Sequence, residues 1–277
     1  MRPTSRAERN EQGQPGFDLT GRVVWVTGSS RGIGAGVARH LAQQGAVVVV
    51  HGRDEGALAE VLADVRACST GSAVTADVRD ADALAAAVET IVAEHGRLDG
   101  VVANVGGAAY GAAVDMTAER FRRQLDLNLT AAFLTGQASY AELARSRGAL
   151  VLVSATATTA ATPMFAAYGA AKSGVEHLAT SLAAEWGPDI RVNCVSPGLI
   201  RTEGSMQAVF RGDEELARRA GRTTAVGRVG EVADIAWACH FLLSQAAAFV
   251  NGATLVVDGG PTEGPTQRIL RALEDGR

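Results

Sequence analysis

The tightest constraint on this chain is a set of glycines placed where a short strand must hand over to a helix. Residues 22–26 are apolar and mostly β-branched after Arg22, and they lead directly into Thr27-Gly28-Ser29-Ser30-Arg31-Gly32-Ile33-Gly34. Apolar side chains then recur at Ile33, Val37, Ala38 and Leu41, the spacing of one helix face within residues 32–45. A strand that turns straight into a helix meets its parallel neighbour only through a crossover, so this segment opens a βαβ unit. Residues 47–50, four valines in succession, supply the neighbour and carry the pattern of a strand buried on both faces.

The alternation continues to residue 257. Helices are expected over 57–68, 81–95, 117–145 (with a break near its start), 166–187 and 231–243; strands are expected over 73–76, 98–103, 149–153, 191–195 and 254–257. The pattern implies an α/β fold: a single doubly wound parallel sheet of Rossmann type with helices on both faces. Residues 17–260 read as one domain without repeat or linker, and the charged stretch 203–230 as an irregular insertion over one end of the sheet. Residues 1–16 read as a flexible polar tail, and 261–277 as a second tail with one weak amphipathic turn.

Composition removes several function classes. With 47% hydrophobic and 20% charged residues, the chain can bury a large core. A formal net charge of −4 offers no basic excess for nucleic acid or an anionic membrane surface. No apolar run approaches the ~18 residues of a membrane span, and residues 1–16 lack the apolar core of a signal peptide. Cys68, Cys194 and Cys239 are odd in number and form no CxxC pair. That argues against a disulfide framework or zinc site and suggests a reducing, cytoplasmic setting. The histidines His40, His51, His95, His177 and His240 show no ligand spacing, so no metal is expected.

The glycine turn has its own chemistry. Gly28, Ser30, Gly32 and Gly34 let the backbone approach a pyrophosphate, and the helix beginning at Gly32-Ile33 offers unpaired N–H groups and the positive end of its dipole. The spacing is G-x-x-x-G-x-G. In a dinucleotide-binding unit the second strand ends at the adenosine ribose, where a carboxylate selects NAD. Here that strand ends His51-Gly52-Arg53, and Arg31 in the turn adds a second guanidinium. Two arginines converging on one phosphate favour NADP.

Tyr168 and Lys172 stand four residues apart in a helical stretch and so share a face. A free phenol titrates near ~10, and a neighbouring ammonium is expected to lower it toward the working range of a proton-transfer group. With the glycine turn, Tyr168-Gly169-Ala170-Ala171-Lys172 makes the chain resemble the short-chain dehydrogenase/reductase family over residues 17–260. Other motifs follow in order: Asp77-Val78, the family's adenine contact; Asn104-Val105-Gly106-Gly107, similar to its NNAG element; Asn128; Pro197-Gly198 with Ile200 and Thr202, its nicotinamide-holding segment; and Val257-Asp258-Gly259-Gly260. The resemblance implies that Tyr168 exchanges a proton with substrate oxygen, that Lys172 holds the nicotinamide ribose, and that Asn128 positions a water leading to Lys172. Residues 181–186 and Thr202-Glu203-Gly204 also resemble dienoyl-CoA reductases, which lack the tyrosine, and there is local similarity to 3-oxoacyl-thioester reductases.

One position departs from the family. The serine expected thirteen residues before the tyrosine, which donates to the substrate carbonyl, is Ala155. Ser154 is the candidate replacement; Thr156, or no replacement, stays open. Ser154, Asn128, Tyr168 and Lys172 are therefore the candidate catalytic set. The expected activity is NADPH-dependent reduction of a ketone or 3-oxoacyl carbonyl, or its reverse. The alternatives are reduction of a conjugated acyl-thioester double bond, and an NADP-binding regulatory or assembly protein without turnover. The substrate itself is not readable. Alanines around much of the circumference of 117–145 and 166–187 call for a second packing partner, and the family's equivalent helices pack between subunits, so a homotetramer or homodimer is expected.

Overall fold

The computed structural model describes residues 16–159 and 161–260. The expected tails at 1–16 and 261–277 lie outside the described residues except for Gly16, whose carbonyl accepts from Ala246 N at 2.8 Å. The chain alternates β1 (Val23–Val26), α1 (Gly32–Gln43), β2 (Val47–Gly52), α2 (Glu55–Cys68), β3 (Gly71–Thr75), α3 (Ala81–His95), β4 (Gly100–Ala103), α4 (Ala118–Leu125), α5 (Ala131–Ser146), β5 (Ala149–Val153), α6 (Ala166–Trp186) and β6 (Arg191–Pro197). It continues with β7 (Ile200–Arg201), α7 (Glu203–Ala208), α8 (Glu214–Gly221), β8 (Gly230–Glu231), α9 (Val232–Leu243) and β9 (Thr254–Val257).

Among the described residues the main sheet has seven parallel strands in the order β3-β2-β1-β4-β5-β6-β9. The chain first winds outward from β1 through β2 to β3, then returns to β4 on the other side. The two halves diverge between β1 and β4, the switch point where such sheets open a cleft at their carboxyl ends. Strand alternation feeds two cores. Val24, Val26, Val48 and Val50 face α1, α2 and α9. Val23, Trp25 and Val49 face the side covered by α3, α5 and α6. The four-valine run thus buries side chains on both faces, as its composition requires.

One expected break is located, and one segment differs from expectation. The stretch 117–145 is broken at Asp126–Thr130 by a π-helical turn that separates α4 from α5. The extra residue in that turn rotates Asn128 inward, where it is 0% exposed. The stretch 203–230 is not irregular. It contains α7 and α8, capped by Thr202 and Asp213, and closes on a small core of Phe210, Ala217 and Val229. Helices of six and eight residues are too short for a periodicity to register. No helix among the described residues is long and apolar enough to cross a membrane.

Candidate active site

A cleft of about 590 Å³ opens at the switch point, lined by the glycine turn, the ends of β2 to β6 and the start of α6. At the turn, Gly28 and Gly32 have φ of +64° and +58°, a left-handed backbone that a side chain rarely tolerates. A Cβ on Gly28 would stand 2.8 Å from Val105 Cγ2. Gly34 serves packing and does not line the cleft: a Cβ there would lie 2.3 Å from the Gly28 carbonyl oxygen and 2.6 Å from Asn104 Nδ2. That amide nitrogen donates to the carbonyls of Thr27 and Gly28, and Asn104 N donates to Thr27 Oγ1. Ser30, Arg31, Gly32 and Ile33 line the cleft beside them.

His51, given no role by sequence, braces the turn from the other side. Gly28 N donates to His51 Nδ1 at 3.2 Å, His51 N donates to Ser29 Oγ at 2.7 Å, and Ser29 N donates to the His51 carbonyl at 2.9 Å. Nδ1 can accept only in a neutral ring, and burial pushes the imidazole down to about 4. The readable signal was its place at the end of β2.

The far end of the cleft is cationic. Arg31 and Arg53 line it, together with Arg79, which sequence analysis also passed over. Arg79 closes on Asp77 with Nε–Oδ1 of 2.9 Å and Nη2–Oδ2 of 2.5 Å. These hydrogen bonds, with a smaller contribution from Arg53, hold the Asp77 carboxyl far below the usual carboxylate range despite partial burial. The carboxylate is thereby neutralised locally, and Val78 packs beneath it at 4% exposure.

At the inner end, Tyr168 and Lys172 lie one turn apart on α6 and both reach the cleft. Lys172 Nζ donates to the Val153 carbonyl at 2.8 Å and sits 5.9 Å from the Tyr168 ring centroid. Burial pulls the ammonium down to about 8. Burial also pushes the Tyr168 phenol up to about 12, so the expected lowering by Lys172 is reversed. Desolvation disfavours the charged form of each group. Gly106 admits both neighbours: a Cβ there would stand 2.8 Å from Asn128 Oδ1 and 2.9 Å from Lys172 Nζ.

Asn128 lies behind this wall, outside the cleft lining. Its Oδ1 accepts from Gly107 N, and its Nδ2 donates to the carbonyls of Gly107 and Gln124. Pro197 and Thr202 line the cleft, whereas Ile200 is 5% exposed and packs into the core. Ser154 and Ala155 both line the cleft. The Ser154 hydroxyl donates to the Lys172 carbonyl at 3.1 Å, and Thr156 is outside the lining. The turn after β5 is held by Glu176 Oε1, which accepts from Thr158 Oγ1 at 2.9 Å and Ser196 Oγ at 3.0 Å. Cys194 and Cys239 are buried, with thiols pushed up to about 12.

A family profile described as enoyl-(acyl carrier protein) reductase matches residues 28–262. The chain is 38% identical over 253 residues to 2-(S)-hydroxypropyl-CoM dehydrogenase 3 of Xanthobacter autotrophicus, covering 88% of this chain and 98% of that one. A short-chain type dehydrogenase/reductase from Mycobacterium ulcerans superposes with a TM-score of 0.82 at 34% identity, covering 92% and 96% of the two chains. A gluconate 5-dehydrogenase from Burkholderia cenocepacia, solved in complex with NADP and tartrate, superposes at 0.81 with 30% identity, covering 88% and 96%. With the parallel sheet, the glycine turn and the Tyr168–Lys172 pair, these define an oxidoreductase class. The chain belongs to the short-chain dehydrogenase/reductase family.

The direction of the Ser154 hydroxyl generates a test. Ser154→Ala should leave turnover within about threefold, while Ala155→Ser should raise kcat by about tenfold or more, part of the 10²–10³ that an oxyanion donor is worth. Steady-state assays of both variants on one saturating ketone decide it; a collapse in Ser154→Ala would make that hydroxyl the substrate donor.

Proposed function

We propose that the protein is an NADP-dependent carbonyl reductase, working also as an alcohol dehydrogenase in reverse. The observation that carries this reading is a phenol above a buried ammonium at one end of a cleft whose other end presents Arg31, Arg53 and Arg79. The cleft suits a dinucleotide: it has a volume of about 590 Å³, the glycine turn and the start of α1 lie along it, and Arg31, Arg53 and Arg79 gather at one end. The turn and the start of α1 would hold the pyrophosphate, Arg31 and Arg53 the 2′-phosphate, Asp77 and Val78 the adenine, and Lys172 with Pro197 and Thr202 the nicotinamide end. When bound, the nicotinamide supplies hydride chemistry.

The chain's own residues supply the proton and its placement. Tyr168 is a neutral phenol across the working pH range, so it donates to the oxygen of a carbonyl that is gaining electrons. Lys172, pinned by the Val153 carbonyl, compensates the charge left on the tyrosine oxygen. The complex of the Burkholderia neighbour with NADP supports the cofactor assignment. The enoyl-reductase description of the family profile keeps double-bond reduction as a second reading, but a positioned phenol is a group that a carbonyl oxygen uses. Ala155 keeps a third reading, cofactor binding without turnover.

Tyr168→Phe should keep NADPH affinity and lose about 10²-fold or more in kcat. Because Lys172 titrates near 8 from below its ordinary value, reduction should proceed on the ammonium form and fall as pH rises through about 8. Near-normal turnover of Tyr168→Phe, or a rate still rising above that pH, would refute the assignment.

Charge-assisted contacts to the 2′-phosphate are worth ~1.5–3 kcal/mol each, so kcat/KM should favour NADPH over NADH at least tenfold. Gly52→Asp with Arg53→Ala should reverse the preference. A Cβ at Gly52 would stand 3.3 Å from Leu58 Cδ2, so Leu58 must give slightly. Equal kcat/KM for both coenzymes in the parent would overturn this part.

The protein is further proposed to be a homo-oligomer. Phe133 and Tyr140 on α5 are 36% and 41% exposed and two turns apart, and α6 separately carries small exposed residues such as Ala166, Ala170 and Ser173. Light scattering at micromolar concentration should give a dimer or tetramer mass; a monomer there rules it out.

A further inference from the structure

Beside the Tyr168 ring stands a short row of aromatic side chains. Phe165 precedes α6, and its ring centroid lies 6.5 Å from that of Tyr168 at an interplanar angle of 66°. Tyr110 continues the row, 5.4 Å from Phe165 at 69°. These are edge-to-face spacings, and they leave ring faces for a further aromatic group. The row is fixed by backbone. Gly111 N donates to the Met164 carbonyl at 2.9 Å, and Arg120 Nη2 donates to the Tyr110 carbonyl at 2.7 Å. Met164 itself is held at φ +71°, a conformation a side chain adopts only under constraint. Tyr110 is nonetheless 64% exposed.

The charge pattern is as specific as the rings. No Asp, Glu, Lys or Arg occurs from Asn104 to Val114 or from Val153 to Ala171, the two segments that carry this row. Arg120, next to it, has Nη2 bound to the Tyr110 carbonyl. Arg201, at the base of the adjoining lobe, is held by Glu214 and Glu231. Gly107 and Ala155, which line the cleft together with Tyr168, are small.

We infer that the substrate is an uncharged ketone with an aromatic group on one flank of the carbonyl, seated against Phe165 and Tyr110. This rests on the carbonyl-reductase reading above. The reaction balances as ketone, NADPH and one proton giving alcohol and NADP⁺. The C=O π bond is lost, a C–H and an O–H bond form, and the oxygen's proton comes from Tyr168.

Three probes of similar reactivity test it: 4-phenyl-2-butanone, 2-butanone and the anionic 4-oxopentanoate. In the parent, kcat/KM should fall in that order, with the aryl ketone at least about tenfold ahead of butanone. Phe165→Ala and Tyr110→Ala should each cut the aryl-to-butanone ratio by roughly fivefold to tenfold. Calorimetry of 4-phenyl-2-butanone with NADP⁺-saturated protein adds a readout without turnover. It should show saturable binding that Phe165→Ala weakens by a similar factor. Preference for 4-oxopentanoate, an unchanged ratio in both variants, or no binding of the aryl ketone overturns the inference. Binding that Phe165→Ala weakens, with no reduction of any probe, upholds the aromatic seat and overturns the catalytic reading instead.

Discussion

The amide of Asn104 is the joint on which the cleft depends. It donates to two successive carbonyls of the glycine turn from the end of the neighbouring strand β4, where the chain's winding reverses. Without a partner those carbonyls would be buried and unpaired, a cost of about 1–3 kcal/mol each. The joint also sets the spacing of everything beyond it. Gly34 must be glycine because the amide and the Gly28 carbonyl occupy the place of its Cβ. Two residues after Asn104, the backbone at Gly106 passes within contact distance of Asn128 and Lys172. Lys172 in turn is tied to Val153, and Ser154 to the Lys172 carbonyl. A continuous set of short contacts therefore runs from the glycine turn to Tyr168 and Lys172.

One cause, burial, moves the two members of that pair in opposite directions on the pH scale. The phenol holds its proton more tightly and the ammonium more loosely than either would in water. In the proposed reaction, a phenolate formed beside Lys172 would stabilise the ammonium, linking proton transfer and charge compensation within one helical turn.

Much of this was legible in the sequence. Strands at Ala149–Val153 and Thr254–Val257 and the helix at Ala81–His95 fall within their expected bounds, because turn or capping residues frame each apolar run. The helical period alone sets Tyr168 and Lys172 on one face. What was not legible depends on contacts between distant segments. His51 and Arg79 look like surface or core residues until β2 and β3 are laid beside the glycine turn. The π turn that buries Asn128 has no compositional mark, since Asp126-Leu127-Asn128-Leu129-Thr130 fits ordinary helix as well. The direction of the Ser154 hydroxyl is a matter of rotamer and strand end, below what residue order encodes.

The lobe formed by α7 and α8 is a separate case. Its small core of Phe210, Ala217 and Val229 shares no residue with the two cores that clamp the sheet. Its links to the framework include exposed ion pairs such as Arg201–Glu214 and Arg228–Asp234. Surface pairs of this kind contribute little to stability, and mutations at sites without shared partners act additively. The lobe can therefore accumulate sequence change at small cost to the cleft.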